Sequence, residues 1–150
     1  MSLRKKVPAT LGADGRLAFE EAPLKEICEG IDLNEDFARL FPALPKESVA
    51  PGGAWKDVFE RHTDSYALKS VVAKVAAFEG TSKADETNGA GALQTSLKAE
   101  GTFSGEWDLD AGRLRVFEEA RKEETKLETK SSVMATTAEM KRRVEVEKAK

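Results

Sequence analysis

Few residues in this chain could carry chemistry. His62 is the only histidine and Cys28 the only cysteine. A Ser–His or Cys–His pair would therefore need His62 as its base. His62 stands between Arg61 and Thr63 with no nucleophile at a recognisable spacing, and we read it as structural. Cys28 lies in the run Leu24, Ile27, Cys28, Ile31. That apolar helical spacing makes it a buried, inert thiol rather than a nucleophile. One histidine and one cysteine also give little from which to build a zinc site.

The carboxylates Glu106, Asp108 and Asp110 share a parity in the sequence. On one face of a strand such a set suits acid–base work, but on a wet face it is simply solvated. Asp108-Leu109-Asp110-Ala111-Gly112 starts like a calcium loop. Its glycine comes one place early, a third ligand is missing, and no bidentate Glu follows at the right offset, so we read it as a hairpin turn. The basic run Lys141-Arg142-Arg143 has no interleaved aromatics, which argues against a nucleic-acid surface. No glycine-rich loop has phosphate-binding spacing. The sequence thus offers no catalytic, cofactor-binding or metal-binding residue, and we expect a protein that is not an enzyme.

The elements that hold these residues are more legible. From Leu93 to Leu109 the odd positions read Leu, Thr, Leu, Ala, Gly, Phe, Gly, Trp, Leu, and the even ones Gln, Ser, Lys, Glu, Thr, Ser, Glu, Asp. A strict period of two predicts a strand with one dry and one wet face. Trp107 and Trp55 are read as core anchors, each worth about 3–5 kcal/mol when buried. Residues 113–130 fit helical spacing through Leu114, Phe117, Ala120, Glu124 and Leu127. The tight turn before them and the later alternation Leu127, Thr129, Ser131, Val133 favour a strand, with a bulge at Phe117–Arg121 to correct the parity. Met140, Arg142, Val144 and Val146 suggest a last strand.

The sheet is expected to begin near Tyr66, with an interior strand through Val71, Val75 and Ala77. A mobile loop is expected from Gly80 to Gly91, a stretch rich in Gly, Thr, Ser, Asp and Asn. Val7–Leu11 and Arg16–Phe19 read as short extended pieces around a Gly12–Gly15 turn. Pro23 opens a helix carrying Leu24, Ile27, Cys28 and Ile31, and Asn34 caps a second, Glu35–Phe41. Two prolines and two glycines between Leu44 and Trp55 exclude a helix there.

A net charge of −3 argues against nucleic acid as the main partner. Residues 120–150 hold nine basic against six acidic side chains, read as a solvated face. No stretch approaches the roughly 20 apolar residues of a membrane helix. Met1–Lys6 carries basic residues with no apolar core behind them. It is therefore not a signal peptide, and upstream residues are expected to be missing.

Three pieces occur in order: Ala13-Asp14-Gly15-Arg16-Leu17; then Leu44-Pro45, Val49 and Pro51-Gly52-Gly53-Ala54-Trp55; then Gly101-Thr102-Phe103 through Trp107-Asp108-Leu109-Asp110-Ala111-Gly112-Arg113-Leu114. In this pattern the chain resembles the C-terminal half of a family of bacterial exported β-sheet proteins and lipoproteins, although Gly53 stands where that family usually has Asp. The resemblance implies a periplasmic or cell-surface location, no known activity, and a missing N-terminal half with its targeting segment.

The expected fold is therefore α+β and β-rich. Residues 1–150 would form a single domain, in which a helical and loop segment (1–55) packs on a curved antiparallel sheet of four to five long strands (56–150). The expected function is a non-enzymatic envelope or extracellular domain acting by surface binding or as a structural module. The alternative is a carrier of an apolar ligand, lodged between Leu93, Leu97, Phe103, Trp107 and Leu114 of the sheet and Leu24, Ile27, Ile31, Phe37 and Phe41 of the helices. No cofactor is expected, and self-association through edge strands is.

Overall fold

The computed structural model describes residues 9–11, 17–19 and 41–147. The chain divides into two compact units, 1–47 and 48–150. In the first, β1 (Ala9–Leu11) and β2 (Leu17–Phe19) pair antiparallel, with Leu11 opposite Leu17, matching the two extended pieces read from sequence. The helices expected at 24–31 and 35–41 lie outside the described residues, except for Phe41, which is in irregular chain.

The second unit is a meander of β3 (Ala54–Phe59), β4 (His62–Val72), β5 (Val75–Ala90), β6 (Leu93–Asp108), β7 (Arg113–Thr129) and β8 (Val133–Glu145). Each strand pairs antiparallel with the next. Among the described residues there is no helix and the sheet has six strands. Over the described residues the architecture is therefore all-β, not α+β, and the sheet is larger than the four or five strands expected.

Three local readings account for the extra strand. Trp55, placed in a connection by its Pro/Gly neighbours, already belongs to β3. The prolines and glycines before it form a type II turn: the Gly53 N–H donates to the Ala50 carbonyl at 2.8 Å, and Gly52 has φ +88°. The apolar run through Val71 and Val75 is not one interior strand. The chain reverses at Ala73-Lys74, with φ +47° and +65°. This two-residue hairpin turn needs positive φ but lacks the usual Asn-Gly signal. Val72 looks like core but is 67% exposed beside the turn.

Finally, Thr81–Ala90 is not a loop. It continues β5, with its backbone laddered to β6 throughout and to β4 as far as Ala84. Its polar composition reflects solvated side chains rather than unpaired backbone.

Residues 113–129 are extended, as the turn and alternation predicted. The parity correction falls earlier than expected: Glu106 pairs with Val116 and Trp107 with Leu114. Arg115 is thus the extra residue of a bulge, and Leu114 and Phe117 both reach the dry side, where they are 1% and 3% exposed.

That side carries an aromatic cluster. Trp55 stacks on Tyr66 at 4.9 Å and 6°, Tyr66 meets Phe103 at 4.7 Å, and Phe103 meets Phe117 at 5.7 Å. Between β5 and β6 the rings have room because phenylalanine opposes glycine twice, in Phe78–Gly105 and Gly80–Phe103. A Cβ on Gly80 would lie 2.1 Å from the Ser65 carbonyl oxygen and 2.4 Å from the Phe103 ring; one on Gly105 would lie 2.4 Å from Phe78.

Gly80→Ala should therefore cost about 3 kcal/mol of unfolding free energy. Gly89→Ala, whose nearest neighbour would be an ordinary 3.7 Å away, should change stability by no more than about 0.5 kcal/mol. Chemical denaturation of the two variants checks the contrast.

Candidate functional site

The cross-strand register sorts the polar residues into rows, and each row has a distinct task. On the dry side, one row runs Asp64–Ser82–Gly101–Arg121 and the next Tyr66–Gly80–Phe103–Glu119–Arg142. Glu119 and Arg142 form an ion pair of 2.6 Å, with side-chain exposures of 1% and 14%. The Arg142 guanidinium also lies 5.6 Å from the Phe117 ring centroid, a favourable cation–π placement. Arg121, 6% exposed in its side chain, lies 3.5 Å from Glu123.

His62 is 4% exposed at the start of β4, beside Asp64 at 7% and Ser82 at 1%. These are the residue types of a hydrolytic triad, and the fold collects them on one side. Their order is wrong for the chemistry. Asp64 is directly opposite Ser82, whereas His62 is opposite Ala84, so the acid, not the base, adjoins the hydroxyl. A triad needs imidazole between the two. Ser82 is also too enclosed to meet a substrate carbonyl.

The carboxylates of the β6–β7 turn do not act together. Asp108 Oδ1 accepts hydrogen bonds from the Asp110 and Ala111 amides at 3.1 and 2.9 Å, locking the turn. Asp110, beyond the strand end, pairs with Lys74 at 2.8 Å, and Glu106 pairs with Arg115 at 3.5 Å. Among the described residues no three His, Cys, Asp or Glu side chains converge on a metal position. The basic run is split by the pleat: Arg142 faces the dry side, while Lys141 and Arg143 face solvent.

The wet side of β5–β8 carries the most distinctive surface. One row reads Glu79–Ser104–Glu118–Arg143, and another, four residues along the strands, reads Lys83–Glu100–Lys122–Glu139. Charges alternate along the second row. In the first, Arg143 pairs with Glu145 and with Glu118, and these bonds, the Glu145 one first, hold its guanidinium above the usual arginine range. The row between them is Thr81–Thr102–Ala120–Lys141.

Three small side chains between two rows of long ones leave a trough across the strands. It is described by two depressions of about 540 and 480 Å³ that share Thr102, Ala120 and Lys141. The sequence reading missed it because Thr81 fell in the supposed loop. Its signal is the small pair Thr102 and Ala120, which only the register brings side by side.

Comparisons with protein-family models, with curated proteins and with solved structures return no match. Among the described residues no helix is long and apolar enough to cross a membrane.

Two predictions test these assignments. Glu119→Gln or Arg142→Met alone should destabilise the fold by about 3–5 kcal/mol, because each leaves a buried charge without its counter-ion. The double variant Glu119→Gln/Arg142→Met should cost less than the sum, and a double-mutant cycle by denaturation measures the difference. At the end of β5, Glu86 accepts from Asn88 at 2.7 Å and from Arg61 at 3.2 Å. These bonds, the Asn88 one first, hold its carboxyl below the ordinary glutamate range. A depressed folded value means stabilisation that is present above the unfolded value and lost as pH falls through the folded one. NMR titration should find Glu86 ionising at lower pH than a free glutamate, and at higher pH again in Asn88→Ala.

Proposed function

We propose that this chain is a non-enzymatic β-sheet domain of the bacterial envelope or extracellular space that acts by binding through its solvent face. The observation that carries the reading is the trough over Thr102 and Ala120, open to solvent and flanked by rows of exposed charge. A shallow cleft of this size with convergent polar groups suits a polar surface ligand or partner. The inward-facing residue types that catalysis would use support the same reading, since they are enclosed and out of catalytic order. Export rests on the resemblance carried by Pro51–Trp55 and Trp107–Leu114.

Native mass spectrometry of the purified chain tests the reading against the carriage of an apolar ligand. The expected result is the polypeptide mass with no co-purified lipid. A stoichiometric lipid adduct that survives delipidating washes would overturn it in favour of a carrier.

A further inference from the structure

We propose that β8 is a self-pairing edge through which two copies of this chain join their sheets antiparallel about a two-fold axis at Met140. The inference does not rest on the binding role proposed for the trough, although Lys141 lines the trough as well.

β8 is one of the two outer strands of the six and runs for 13 residues, against six for β3 at the other edge. Its first part, Val133-Met134-Ala135-Thr136-Thr137-Ala138, has no charge, proline or glycine, and is exposed throughout, with Val133 at 63% and Met134 at 65%. These six residues lack the charge and proline that block an edge and so are a template for another strand; the charged residues of β8, Glu139, Lys141, Arg142, Arg143 and Glu145, all follow them. The direction of its open hydrogen-bonding groups follows from the β7 ladder. Val146 N–H donates to Arg115 O at 3.2 Å and Thr129 N–H to Ser132 O at 2.8 Å. Bonds to β7 therefore fall on the even residues of β8, and the odd residues, Val133 to Glu145, turn their N–H and C=O groups outward.

Charge and length of overlap together select the register; an axis at Val144 would also oppose Arg143 to Glu145, but only the last three residues of each β8 would overlap. For two dry sides to lie on one face, residues of the same parity must oppose, so the axis passes through a residue. Centred on Met140, Glu139 of each copy faces Lys141 of the other, and no like charges oppose. An axis at Glu139 or Lys141 sets like charges together. At Arg142 it sets Lys141 against Arg143, and at Ala138 or Thr137 it makes no ion pair. Among the described residues, neither Glu139 nor Lys141 has an ion-pair partner in its own chain. On the β7 side Glu139 stands opposite Lys122 and Lys141 opposite Ala120, and the other side of each faces the open edge. Opposite charges directly across an antiparallel pair are favourable, and like charges are not.

The test is sedimentation equilibrium of the full chain over roughly 1–300 μM, the range that reads a micromolar association. Wild type is expected to dimerise. Glu139→Lys or Lys141→Glu alone should weaken the dimer at least about tenfold, and Glu139→Lys/Lys141→Glu should restore it. Thr137→Pro removes an outward N–H without touching the β7 ladder, and should give a monomer whose thermal midpoint equals that of the wild type at concentrations below its dimerisation range. In a Cys28→Ser background, Met140→Cys should oxidise to a covalent dimer and Thr136→Cys should not. A monomeric wild type throughout the range, or a dimer that ignores Thr137→Pro and the charge exchange, would overturn the proposal.

Discussion

The sheet depends on a steric exchange between its two central strands. Phe78 lies over Gly105, and Phe103 lies over Gly80. Each ring occupies the space where the opposing residue would carry a side chain. The glycines let the aromatic layer sit close against backbone, so Tyr66, Phe78, Phe103 and Phe117 pack as one cluster rather than as separate contacts. Because rings and glycines alternate in adjacent rows, a slip of one residue would turn every ring to solvent, and a slip of two would set ring against ring. That fit locks the register of β5 and β6. The rows of β4 and β7 then follow by ladder hydrogen bonding.

Every other feature of the sheet inherits that register. It sets Glu119 opposite Arg142 on the dry side, where a lone charge would be costly and a matched pair beside an aromatic ring is tolerated. It sets Thr102 beside Ala120 on the wet side, so that small residues meet in a row and leave a trough. It also disperses the apparent chemical groups. Asp108 holds a turn, Asp110 and Lys74 tie two turns together at one end of the sheet, and His62 is enclosed. Groups that read as potential chemistry in one dimension serve the fold in three.

The two ends of the sheet differ. All six strands overlap only across the middle of the sheet, over the length of β3, and at the Ala73-Lys74 turn just β4 to β7 remain paired. Towards Ala90 and Thr129, β4 has ended and four strands continue, with Leu93 at 48% exposure. Alternation there marks an extended conformation but not burial. Leu93 and Val133 are strand residues by pattern and surface residues by position. β8, at one edge, is exposed along most of its length.

By itself, the sequence determined the conformation of β6 and β7, the turn at Asp108–Gly112, the lack of a helix between Leu44 and Trp55 and the pairing pieces β1 and β2. Each is written in residues close together in the chain: a period of two, prolines and glycines crowded into one short stretch, an aspartate two residues before the amide it accepts from. Only the tertiary structure decided that the chain reverses at Ala73-Lys74, that Thr81–Ala90 is strand, that the bulge falls at Arg115, and that Arg142 is buried while Arg143 is not. These outcomes depend on what stands across a ladder of hydrogen bonds. Alternation tells a side chain which face it shares with its neighbours. It does not tell it what lies opposite, and the opposite residue supplies the room, the counter-charge or the partner for a backbone amide.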